Sequence, residues 1–226
     1  MGKFELHVHT RENDKVAQLG GAEIVRLYRD AGYEGLVITD HYFSIFYDWF
    51  ADEMDLNDHR SIIDRWLRGY RAAKAEGDRL GFPVLLGAEV RFDGPVINDY
   101  LVYGITEEFL YQAPLLNRLK NLDELMAILP DTARVVLAHP FRNAMTVVDP
   151  SPLFGIEVYN GGTPEIRNRM ARVWAEDAGK VMTSGSDFHG AAALARGGIQ
   201  TERNIRTSAD LISVLEEGCF TTIETN

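Results

Sequence analysis

Short apolar runs alternate along the chain with stretches in which apolar residues recur every three or four positions. The runs at 4–9, 35–39, 83–87, 100–105, 134–138, 155–159 and 180–184, with a shorter one at 219–223, read as strands. Several are almost unbroken in apolar residues, the pattern of parallel strands covered on both faces. Helical patterns lie between them at 21–31, 57–79, 122–129, 164–177 and 208–217. In the first, Ile24, Leu27 and Tyr28 share one stripe and Gly32 ends it; in the longest, Ile62, Ile63, Trp66, Leu67 and Tyr70 make the apolar face. Ser208 is the expected N-cap of the last helix and Gly218 its stop. Strand and helix alternate about seven times, which predicts an α/β fold with a mainly parallel sheet, closed or distorted into a barrel. The open doubly wound sheet is the rival.

Set against this pattern, the polar residues are not scattered. His7 and His9 stand two apart in "LHVHT", so on a strand both imidazoles face one side. His41, beside Asp40, follows the second strand in "VITDHY"; His139 follows the fifth in "VLAHP"; His189 follows the seventh, two residues after Asp187, in "TSGSDFHG". Glu89 ends the third strand in "LLGAEV" and Glu157 lies in the sixth, "GIEVYN". Of the six histidines only His59 falls elsewhere, on the polar side of a helix. In a parallel barrel all strand C-termini open onto one end, where residues distant in sequence converge. Imidazoles and carboxylates without thiolates suit zinc, manganese or iron, and there are too many for one tetrahedral ion. Two or three divalent metal ions are implied.

Composition narrows the class. The 226 residues, 46% hydrophobic and 25% charged, suit a single domain spanning 1–226. A net charge of −11 repels phosphate backbones and anionic membranes, so neither nucleic acid nor a membrane is expected as a partner. The single cysteine, Cys219, permits no internal disulfide or thiolate zinc site and favours a reducing, cytoplasmic setting. "MGKFELHVHT" has no signal-peptide pattern, and no apolar run reaches a membrane span.

The strings "HVH", "TDH", "GAE", "AHP" and "GSDFH", in this order and nearly spanning the chain, resemble the PHP family, the polymerase and histidinol phosphatase domain. That resemblance implies a distorted (β/α)7 TIM-like barrel, up to three divalent metals and phosphoesterase chemistry. It implies that His7, His9, Glu89 and Asp187 hold the first metal, that Glu89 bridges to a second also bound by His139, and that His41 and His189 hold a third. Two positions depart from the family pattern. After HxH the chain reads "TRENDKV", leaving Asp14 to complete the third site. At the fourth strand "VINDYLVYG" offers Asn98 and Asp99 where many relatives carry a histidine, so the second site is completed by Asp99 or water, or fills only with substrate.

The implied reaction is attack of metal-activated water on a phosphate ester, centred on Glu89, Asp187 and His189, with no serine or cysteine nucleophile. Asp40, Asp99 and Glu157 are expected to support the ligands, Asp40 and Glu157 by orienting imidazoles. A phosphate dianion needs positive groups, and Arg142 in "HPFRN", Arg196 in "ALARGG" and Arg91 are the candidates, with Asn160 as a further substrate contact. The aromatic stretch 41–50 is either a lid that stacks on a base or sugar, or plain packing between loop and barrel. The favoured substrate is a small phosphorylated metabolite or nucleotide. The alternatives are a phosphodiesterase resembling a 3′-exonuclease and a metal-binding regulatory module without turnover. An amidohydrolase-like C–N hydrolase would usually want a lysine at a strand end, and none stands there. Oligomeric state is left open.

Overall fold

The computed structural model describes residues 1–225. Ten strands form one sheet system: β1 Gly2–Glu5, β2 Gly35–Ile38, β3 His41–Tyr42, β4 Val84–Val90, β5 Tyr100–Tyr103, β6 Arg134–Leu137, β7 Gly155–Asn160, β8 Val181–Gly185, β9 Ile199–Thr201 and β10 Thr221–Thr222. Eight α-helices accompany them: α1 Gly21–Asp30, α2 Ile45–Phe50, α3 His59–Trp66, α4 Arg68–Leu80, α5 Glu107–Gln112, α6 Leu122–Ile128, α7 Glu165–Asp177 and α8 Ser208–Glu217. The path runs β10-β9-β1-β2-β4-β5-β6-β7-β8, with β3 beside β4. Beyond β8 and β1 the chain zips shut: Val8 bridges Phe188, with His9 N bonded to the Phe188 carbonyl at 3.0 Å and Phe188 N to the His7 carbonyl at 3.1 Å. The result is a nearly closed, distorted TIM-like barrel, as expected, and not an open sheet.

Strand alternation explains the near-continuous apolar runs. On β2, Leu36 and Ile38 pack outward with Ile24, Tyr28 and Val84, whereas Val37 points into the barrel with Leu6, Leu85, Leu101, Tyr103 and Val136. Both faces are covered, so both are apolar.

Two strands run against the rest, β9 at the edge beside β1 and β5 in the middle of the path. β5 is antiparallel to β4 and to β6, whereas β1/β2, β2/β4, β6/β7 and β7/β8 are parallel. A reversed strand begins where its neighbours end. Asp99, just ahead of β5, is thereby delivered to the same mouth as Glu89 near the end of β4.

The helix expected over 57–79 is two, α3 and α4, meeting at Leu67. Asn13 Nδ2 bonds the Trp66 carbonyl at the break. There α4 comes so close that a Cβ on Gly69 would lie 1.9 Å from Thr10 Oγ1. Thr207, not Ser208, caps α8, through a capping box with Asp210; Gly218 ends the helix with φ 65°. The aromatic stretch 41–50 forms β3 and α2, with Tyr42, Phe46 and Phe50 in the core. Its packing role is therefore realised. Among the described residues no helix is long and apolar enough to cross a membrane.

Candidate metal centre

Five histidines and four carboxylates meet at the barrel mouth. His7 and His9 stand side by side beyond β1, ring centroids 5.0 Å apart. Glu89 arrives from β4, His139 from the turn after β6, and Asp187 and His189 from the turn after β8. His139 (φ 27°) and Asp187 (φ 51°) occupy left-handed backbone, which turns their side chains back over the mouth at a cost in strain. Such strain clusters at functional sites.

Four ligand atoms share one cage. His7 Nε2 lies 3.6 Å from both Glu89 Oε2 and Asp187 Oδ1; His9 Nε2 lies 3.4 Å and 3.3 Å from the same two oxygens. Ligands about 2.0–2.1 Å from a tetrahedral ion sit about 3.3–3.4 Å from one another. The four nitrogen-to-oxygen separations are close to the edge length of a tetrahedral coordination shell.

A second cage lies towards solvent. Asp14 Oδ2 is 3.1 Å from His41 Nδ1 and 3.0 Å from His189 Nε2, and His9, His41 and His189 form a group able to hold a cation. Asp14 sits buried between the two imidazoles. The third group is Glu89, Asp99 and His139. Here His139 Nε2 is 2.8 Å from Glu89 Oε1 and 3.7 Å from Asp99 Oδ2, and Asp99 also receives Arg91 and Arg142.

The donor set fits divalent cations. His7 Nε2, both nitrogens of His9, Asp14 Oδ2, Glu89 Oε2 and His139 Nδ1 are buried without a hydrogen-bond partner among the described residues. Each such orphan costs about 1–3 kcal/mol, so their convergence in one place demands a compensating ligand.

Electrostatics agree. Burial, then the neighbouring His41 and His189, push the pKa of His9 well below the ordinary imidazole value, leaving a neutral ring with a lone pair to give. Burial opposes charge on His41 and His189, but their carboxylate contacts prevail and raise them to about 9 and about 10. Burial works against ionised Glu89 and Asp187 too, yet the surrounding imidazoles, His7 foremost, hold both well below the carboxylate range. Without a cation, the imidazoles themselves serve as the counter-charge.

The remaining candidates separate by what they touch. Glu157 Oε1 lies 2.9 Å from His7 Nδ1 and Oε2 accepts the His139 backbone N–H at 2.8 Å, so it fixes two ligands. Asp40 corrects the expectation that it would orient an imidazole. Its oxygens accept the Thr10 N–H at 2.6 Å and the Thr10 hydroxyl at 2.8 Å, and so anchor the backbone after HxH. Asn160 is spent inward: Nδ2 donates to Glu157 at 2.9 Å and to Asp187 at 3.3 Å, while Oδ1 accepts from Gly162 and Thr163. Arg91 and Arg142 stand at the mouth on Asp99. Arg196 is exposed and donates to the Gly161 carbonyl at 2.9 Å.

Glu5 escaped the sequence reading. It is buried beneath the cage, where it accepts N–H groups of Leu6, His7 and Ser186 and hydroxyls of Tyr28 and Ser186. Ser186 is consumed in that network, so it offers no nucleophile. An acid inside the apolar run "FELHV" was the signal available.

Comparison with known proteins agrees with this geometry. No curated protein matches the sequence. Residues 165–219 match the PHP-associated family model. PsfC from Pseudomonas syringae superposes with a TM-score of 0.66 at 16% identity, covering 100% of this chain and 93% of that one. A provisionally assigned metal-dependent phosphoesterase from Bifidobacterium adolescentis gives 0.58 at 17% identity, covering 95% and 96%. The barrel fold is shared with both structures over nearly the whole chain. The resemblance read from the five motifs is met by a PHP-associated match at residues 165–219 and by a shared barrel fold over the described chain.

A third structure corrects one expectation. Endonuclease Q, in complex with a 27-mer duplex carrying an abasic lesion at the active site, superposes with a TM-score of 0.57 at 13% identity over 96% of this chain, which covers 56% of that longer one. That longer protein, which shares this fold, takes a DNA duplex, so the exclusion of nucleic acid from net charge does not stand. The physical reason is that −11 is a sum over the whole surface, whereas recognition depends on the local potential. At the mouth, Arg91 and Arg142 stand beside groups able to hold a cation.

Proposed function

We propose that the chain, acting as one catalytic domain, is a metal-dependent phosphoesterase that hydrolyses a phosphate monoester of a small metabolite or nucleotide. One observation carries the reading: His7 Nε2, His9 Nε2, Glu89 Oε2 and Asp187 Oδ1 share a cage with edges of 3.3–3.6 Å, beside two partly exposed arginines. His7, His9, Glu89 and Asp187 would hold one ion, Asp14, His41 and His189 a second, and Glu89 with His139 a third. Zinc, manganese and iron all suit these donors. Bound there, divalent ions lower the pKa of water towards neutrality and neutralise phosphate charge.

The chain's own groups do the rest. Glu157 keeps His7 Nδ1 engaged, so Nε2 faces the cage. Asn160 restrains Asp187. Arg91 and Arg142 present N–H donors at the mouth, where a phosphate oxygen would meet them. Hydrolysis by water consumes one water, breaks the ester bond and returns the alcohol and inorganic phosphate.

A second reading, cleavage of a phosphodiester in nucleic acid, is favoured by the duplex-bound endonuclease of the same fold. Purified chain loaded with Mn²⁺, Zn²⁺ or Fe²⁺ should release phosphate from a monoester panel and lose that activity on chelation or in Asp187→Ala. Cleavage of an abasic duplex with inert monoesters would transfer the assignment to the second reading. Metal retention with neither reaction would make the chain a binding module.

A further inference from the structure

At the barrel mouth two guanidinium groups occupy the carboxylate oxygen that a cation would need. Arg91 Nη2 donates to Asp99 Oδ2 at 2.7 Å, Arg142 Nη2 donates to the same oxygen, and Arg91 Nε donates to Oδ1 at 2.6 Å. A carboxylate oxygen has two lone pairs, and on Oδ2 both are taken. Yet Oδ2 is the atom facing His139 Nε2 at 3.7 Å, and Asp99, Glu89 and His139 together form a group able to hold a metal. His139 Nε2 is engaged as well, 2.8 Å from Glu89 Oε1. The other cages differ: their oxygens Asp14 Oδ2 and Glu89 Oε2 face imidazole nitrogens at 3.0–3.6 Å and receive no guanidinium. Two cages are open and one is latched.

The latch faces outward. Asp99 is fully buried, while Arg91 and Arg142 are 27% and 35% exposed. The Arg91 guanidinium lies 4.1 Å from the Phe43 ring, which stacks on His41 at 4.4 Å, so Arg91 stays at the mouth whatever its anion. Two guanidinium groups converge on this one carboxylate. A phosphate group offers the same acceptor geometry as the carboxylate with more charge.

Resting on the phosphoesterase reading, we propose that Arg91 and Arg142 latch Asp99 until a phosphate group takes over their donors. Asp99 Oδ2 is then freed to complete, with Glu89 and His139, a divalent-cation position that is otherwise shut. Phosphate and this cation bind as a pair, and by linkage each raises the other's affinity by the same factor, about 5–150-fold in typical couplings. The arrangement ties the last cation to the presence of a phosphorylated ligand.

The test counts Mn²⁺ per chain by equilibrium dialysis, with and without inorganic phosphate. Phosphate should add about one Mn²⁺ per wild-type chain. Arg91→Ala with Arg142→Ala should bind that extra ion without phosphate, and Asp99→Asn should bind it under neither condition. A wild-type count that phosphate leaves unchanged overturns the latch, and this measurement needs no variant to fold. If the chain binds Mn²⁺ but ignores phosphate, the latch alone falls. If it binds none of Mn²⁺, Zn²⁺ and Fe²⁺, the phosphoesterase reading falls with it.

Discussion

Glu157 Oε1 lies 2.9 Å from His7 Nδ1, leaving His7 Nε2 turned towards Glu89 and Asp187 at 3.6 Å each. The other Glu157 oxygen accepts the His139 backbone N–H, so one carboxylate holds two candidate ligands that follow different strands. Glu157→Gln keeps the size of the side chain but removes its charge, and one of its two acceptors becomes a donor. Metal affinity should fall about 10–100-fold while the fold persists, as for other groups that orient ligands. Calorimetric titration with Zn²⁺ alongside far-ultraviolet circular dichroism would check this; unchanged affinity would deny Glu157 its orienting role.

Gly185 tests the same relationship from the backbone side. A Cβ there would lie 2.3 Å from the His7 Cβ and 2.6 Å from Glu157 Oε1. Nothing in a packed wall can yield that much without moving His7. Gly185→Ala should cost about 1–3 kcal/mol in a urea unfolding experiment and also weaken metal binding. Loss of stability with intact metal affinity would mean that His7 is not the neighbour that moves.

Most of the candidate ligands were legible in the sequence because they stand at the end of an apolar run, where a barrel brings strand tips together. Asp99 was harder. Alternation of apolar residues does not reveal a strand's direction, and only the reversal of β5 delivers Asp99 to the mouth. The two arginines were visible as charges, but a shared buried partner cannot be read from their spacing. Asp40 misled because sequence adjacency to His41 suggested contact; on an extended backbone neighbours point apart, and Asp40 reaches Thr10 on β1's extension instead. Helix α2 went unseen because its six residues are too short and too aromatic for a helical period to show.

Protonation gives a further expectation. In metal-free protein the pKa of His41 is raised to about 9 and that of His189 to about 10, because carboxylate contacts outweigh burial. A raised imidazole pKa means that the folded state holds the proton more tightly than the unfolded one. The resulting stability is complete below about pH 6.5 and disappears as pH climbs through the folded value. Chelated wild type should therefore lose its stability advantage over His41→Gln between pH 6.5 and about 9. Metal binding at these rings must expel their protons, so affinity should rise with pH over the same window. Parallel pH profiles for wild type and variant, or metal affinity that is flat with pH, would contradict the charge assignment.

Beneath the cage, Glu5 joins the strand that carries His7 to the turn that carries Asp187. Its carboxylate accepts the N–H groups of Leu6 at 3.0 Å, His7 at 3.1 Å and Ser186 at 2.8 Å, together with the Tyr28 hydroxyl at 3.0 Å and that of Ser186. Burial raises its pKa against those bonds, so its charge is sustained by donors and not by water. Glu5→Leu fills much of the space yet strands every donor, and should cost about 3–5 kcal/mol. Glu5→Gln still accepts through one oxygen, and the hydroxyls of Tyr28 and Ser186 can rotate to receive its amide, so its cost should be clearly smaller. Chemical denaturation of the two variants separates a hydrogen-bonding role from a volume role. Equal losses would mean that the donors find other partners and that Glu5 is not what holds β1 against the Asp187 turn.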